Sequence, residues 1–141
     1  MVHALDKSRS FLHSQGILLN VHDLPRPHCI EIHSGGGNSF TGYLLSYIDF
    51  MERRLADEAL LQVVEQRHFA SKEQHLFNYF VCADTLSELQ VLLSESWDDS
   101  YLPAGTEKRN RDLLSAADGE AKIVLDMMAR LTILSTADVV A

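Results

Sequence analysis

Three consecutive glycines, Gly35-Gly36-Gly37, constrain this chain more than any other feature. They follow an alternating segment, Cys29 to His33, and precede a long amphipathic stretch that starts near Phe40. Glycine tolerates φ > 0 and leaves backbone N–H groups uncovered. Placed between a strand and a helix N-terminus, such a run predicts an anion site. On this reading the N–H groups of Gly36, Gly37 and Asn38 point at the anion. The hydroxyls of Ser34, Ser39 and Thr41 add donors around Gly35, and His33 supplies an acid or base. The plainer alternative is a turn that caps the helix, with Asn38 or Ser39 as N-cap.

The run fits no phosphate-binding signature. No Lys-Ser/Thr follows Gly42, so it is not a P-loop, and the GxGxxG spacing of dinucleotide sites is missing. No GxSxG elbow accompanies His33-Ser34-Gly35-Gly36-Gly37, which excludes a lipase-type oxyanion loop.

Hydrophobic periodicity predicts the elements around this loop. Residues 3–14 read as a helix stopped by Gly16. Ile17 to Val21 and Cys29 to His33 read as strands, joined as a hairpin through the Pro25/Pro27 turn. In the second, Ile30 and Ile32 share one face, and Cys29, Glu31 and His33 the other. From Phe40 to Arg67, Leu44, Ile48, Met51 and Leu55 give a helical stripe. Leu76 to Cys82 is aromatic-rich and reads as a strand, with a helix capped at Ser71 as its rival. Thr85-Leu86-Ser87-Glu88 is a capping box for a helix to about Trp97. Thr106 caps another helix. Val124, Met127, Met128, Leu131 and Leu134 define a last helix over 120–135. The expected fold is therefore α/β, with α+β possible: one helix-rich domain over residues 1–141 with about three strands, in the order α-β-β-α-β-α-α-α.

Composition bounds the function. Hydrophobic residues make up 46% of the chain, which is globular rather than disordered composition. No run reaches the roughly 18 apolar residues of a membrane helix. The stretch Met1–Asp6 lacks signal architecture, so a cytoplasmic protein without membrane contact is expected. Cys29 and Cys82 have no CxxC spacing and read as free thiols. The seven histidines include no HExxH or HxH pair, so no metal and no other cofactor is expected. Cys29 and His33 lie four residues apart on one strand, about 13 Å, too far for a thiolate–imidazole pair.

The net charge is −8. Residues 71–141 hold twelve acidic and six basic side chains, against eight and six in residues 1–70. Such a surface repels nucleic acid and suits a basic protein. Glu95, Trp97, Asp98, Asp99 and Tyr101 form an aromatic anchor ringed by carboxylates, the pattern of a binding rim. The broad apolar surface of the last helix predicts a homo-oligomer, and the third strand offers a second way to extend across a dimer. Two function classes follow. The first is a non-enzymatic interaction protein (regulator, inhibitor, immunity protein or chaperone) with a basic partner. The second is a binding protein or enzyme for a phosphorylated or nucleotide-like molecule held at residues 34–42.

Overall fold

A computed structural model describes residues 2–46, 48–97, 99–117 and 119–136. The chain runs α1 (Val2–Arg9), β1 (Ile17–Asp23), β2 (His28–Ser34), β3 (Gly37–Ser46), α2 (Ile48–Glu65), β4 (Phe69–Ala83), α3 (Leu86–Ser96), β5 (Ser100–Tyr101), α4 (Ala104–Ala116) and β6 (Ala121–Thr136). Among the described residues, six antiparallel strands and four helices replace the expected helix-rich chain with three strands. The strand order is β1-β6-β2-β3-β5, with β4 also paired to β6.

Two long segments, with the two-residue β5 between them in sequence, account for the difference. Residues 121–136 form a strand instead of a helix. Its side chains are buried on both faces, including Ile123, Val124, Leu125, Met127, Ala129 and Leu134. The buried face changes sides along the strand, Ile123, Leu125, Met127 and Ala129 first and Thr132 and Leu134 later, and Lys122, Asp126 and Arg130 recur every four residues, so the letters carry a helical spacing. Residues 37–46 likewise form β3, and the helix begins only at Ile48. β1 and β2 do not pair with each other; each pairs with β6, β1 along residues 129–135 and β2 along residues 121–126. β2 instead makes its hairpin with β3.

The chain divides into two compact units. The first comprises residues 1–25, 51–77 and 129–141. Its core gathers Leu5 of α1, Ala59, Leu60 and Val63 of α2, Phe69 of β4 and Leu134 of β6. α2 is also pinned to its unit by charge. The buried Arg53 pairs with Asp23 at 3.2 Å, and Asp57 accepts from His22 at 2.5 Å and from Arg130. His68 pairs with Asp6 of α1 at 2.6 Å.

The second unit comprises residues 26–50 and 78–128. Its core joins Ile30 and Ile32 of β2, Leu44 of β3, Ala83 of β4, Leu89 and Leu93 of α3, and Ile123, Leu125 and Met127 of β6. β2 alternates as its sequence predicts, Ile30 and Ile32 buried and Cys29, Glu31 and His33 half-buried on the other face. Half of the capping box at α3 forms, the Thr85 hydroxyl accepting from the Glu88 N–H at 3.1 Å, while the Glu88 carboxylate reaches one residue past the cap and accepts from the Asp84 N–H at 2.7 Å. Thr106 is not a cap. α4 starts at Ala104 behind Pro103, and Thr106 is buried one turn in. There it meets β3 so closely that a Cβ on Gly42 would lie 2.2 Å from its Oγ1 and 3.1 Å from its Cβ.

Candidate protein-binding surface

The glycine run is the tip of the β2–β3 hairpin. Ser34 pairs with Gly37 across the ladder, which leaves Gly35 and Gly36 as the turn. Gly37 takes the left-handed backbone, φ 118°, that a hairpin of this kind demands after its turn. Strand, not helix, follows, so no helix N-terminus stands behind these N–H groups. Residues Gly35, Gly36, Gly37, Asn38 and Ser39 are exposed, and space is open around the glycines at 35 and 37. The Ser34 hydroxyl donates to the Gly37 carbonyl at 3.4 Å. Thr41 is fully buried and donates to the Ile30 carbonyl at 3.1 Å, where a β-bulge interrupts the ladder. The anion cradle is thus an open hairpin end, with the Ser34 and Thr41 hydroxyls on backbone carbonyls and Ser39 exposed.

The histidines are placed singly. His33 pairs with Glu31 at 2.8 Å, two residues along the same strand face. His22 sits between Asn20 at 2.7 Å on Nδ1 and Asp57 at 2.5 Å on Nε2. Arg130 Nη2 stands a further 3.2 Å from Nε2. Both ring nitrogens are thereby engaged, and neither addresses a hydroxyl or thiol. No group of three or more His, Cys, Asp or Glu among the described residues can hold a metal ion. Both cysteines are free thiols. Burial pushes the Cys29 thiol pKa up, Arg26 opposing and Asp126 and Glu31 adding to the shift, so it is a poor nucleophile at neutral pH.

The acidic rim divides. Glu95 is exposed on the last turn of α3, and Tyr101 on β5 is 39% exposed. Trp97, at the C-terminal end of α3, is half-buried against the second core. Asp99 accepts a hydrogen bond from the Ser46 hydroxyl of β3. Asp98 lies outside the described residues. Between α3 and the β5–α4 segment runs a groove of about 270 Å³, with Leu93 and Leu102 as apolar lining and Gln90, Ser94, Tyr101 and Glu107 as polar lining. Sequence reading missed Gln90, Ser94 and Glu107, because only the fold brings α3 beside the start of α4.

Charge is segregated by unit. The second unit has twelve acidic and five basic side chains, net −7; the first has eight and seven, net −1. No helix among the described residues is long and apolar enough to cross a membrane. No protein family, curated protein or solved structure matches this chain.

The last-helix surface expected to drive self-association does not exist as such. Val124, Met127 and Leu134 are buried in the chain's own cores, and Met128 and Leu131 are half-buried along a strand.

Proposed function

We propose that this chain is a small acidic interaction protein that binds a protein partner through a basic surface of that partner, without catalysing a reaction. The observation that carries this reading is the concentration of net charge, −7 of −8, in the second unit. The groove between α3 and α4 supplies the contact site. Its apolar lining of Leu93 and Leu102 accepts an apolar side chain, while Tyr101 and Glu107 meet a cationic one. The carboxylates around it steer the encounter.

Binding of cationic peptides to the immobilised chain, followed at several ionic strengths, tests the reading. Association should slow steeply as the Debye length shrinks from about 30 to 8 Å. Glu95→Gln with Glu107→Gln should slow association about threefold and leave dissociation nearly unchanged, as rim charges do. Rates independent of salt, or a double variant with the association rate of the unmodified chain, refute it.

A further inference from the structure

Among the described residues, β4 is paired with another strand along one edge only. It pairs with β6, and no other strand among the described residues pairs with it. Its stretch Ser71–Phe77, within the first unit, is exposed on both faces. An open edge presents a row of N–H and C=O groups that another strand can pair. Proteins blunt such edges by shortness or by proline; β4 is 15 residues long and has no proline. Beyond Glu73 and His75 the strand is uncharged to Ala83, with Leu76, Phe77 and Phe80 exposed. Left bare, such a segment invites uncontrolled pairing.

We propose that a second copy of this chain covers this edge, with the two β4 strands antiparallel about a two-fold axis at Gln74. This goes beyond the binding function proposed above and uses the other unit. The self-complementarity of the segment selects the occupant. Around a two-fold axis, each residue faces the one equally far on the other side. With the axis at Gln74, Glu73 faces His75 of the second copy, and His75 faces its Glu73. Glu73 already pairs with its own His75 at 3.0 Å, so four alternating groups line one face of the joined strands. On the other face Lys72 stands opposite Leu76 of the second copy, where its methylenes lie over the apolar side chain. An axis at Glu73 sets carboxylate against carboxylate, and one at His75 sets imidazole against imidazole. An axis between two residues is excluded, because neighbouring antiparallel pairs alternate in hydrogen-bonding type and cannot be symmetry mates. Charge agrees: the copies meet through the unit of net −1, whose own charges nearly cancel.

Sedimentation of the full chain should show a dimer at micromolar concentration. E73K places two cations against two histidines and should raise the dissociation constant about tenfold. The double variant E73K/H75E exchanges the partners and should restore it. Cross-linking reads the register independently. With Cys29 and Cys82 replaced by serine, Q74C should oxidise to a 74–74 disulfide dimer. S71C alone should not, while a mixture of S71C and F77C chains should cross-link to each other. A monomer at all concentrations, a dimer indifferent to E73K, or S71C self-linking as fast as Q74C overturns the proposal.

Discussion

At the scale of single residues, close approach decides more than charge. Gly42 admits α4 because it has no Cβ; a methyl there meets the Thr106 hydroxyl, methyl and Cβ together. Thr106 is short and buried, so it cannot swing aside. Gly42→Ala should cost about 1–3 kcal/mol by overpacking. Thr106→Ala should recover part of this in the double variant, because neighbours couple. Urea unfolding of the four proteins measures the coupling, and additive effects refute the contact. Cys29 and Cys82 give a second residue-level test. Cys82 is exposed, whereas burial raises the pKa of Cys29. At neutral pH an aromatic disulfide reagent should modify Cys82 first, with Cys29 following at least tenfold slower. The folded state favours the protonated Cys29 thiol. Its contribution to stability is present below the thiol's ordinary pKa and is lost as pH rises through the raised one.

At the scale of elements, the sequence was legible where one face stays wet along the element and illegible where the buried face changes sides. β2 alternates because its outer face carries Glu31 and His33, so period two shows in the letters. α3 declares itself through Thr85 and Glu88, a local signal that needs no tertiary context. β6 hides, because its buried face changes sides along the strand and its charges, Lys122, Asp126 and Arg130, recur every four residues, which masks the period of two. Its clusters Ile123-Val124 and Thr132-Ile133 were the available hint, β-branched residues being strand formers. β3 was lost to a helix reading that overlooked Gly42, a glycine that costs about 1 kcal/mol inside a helix. The candidate groove was half legible: Tyr101 stands in the letters, but Gln90 and Glu107 meet it only through folding. The same scale yields a prediction for α2. Asp57 receives both His22 and Arg130, and these groups are largely shielded from solvent. Asp57→Ala leaves a guanidinium and an imidazole without their acceptor, at about 2 kcal/mol. Arg54→Ala on the same helix removes an exposed pair with Glu58 and should cost under about 0.5 kcal/mol. Equal losses in thermal unfolding contradict the assignment of α2 docking to Asp57.

At the scale of the whole molecule, the two units differ in how they carry charge, and that difference has a thermodynamic signature. The first unit is nearly neutral and spends its charges in pairs: Arg53 with Asp23, Arg130 with Asp57, His68 with Asp6. Salt screens attraction there. The second unit holds seven more acidic than basic side chains. Ion pairs such as Lys122 with Asp84 at 3.4 Å and Arg111 with Glu107 at 2.8 Å cannot neutralise that excess, because only five basic side chains face twelve acidic ones. Salt screens repulsion there, and screening self-repulsion stabilises a compact state. Raising ionic strength from about 0.01 to 0.15 M shortens the Debye length from about 30 to 8 Å, which spans the distances between surface carboxylates. Amide exchange resolved by segment should therefore slow in α3, α4 and β2, and stay level or quicken in β1 and α2. Near-neutral peptides from both units, read in one experiment, make the comparison internal to the molecule. A uniform response in all five elements means that the charge segregation has no energetic weight. The acidic unit then loses its claim to a basic partner, because a surface that does not feel its own field cannot steer another.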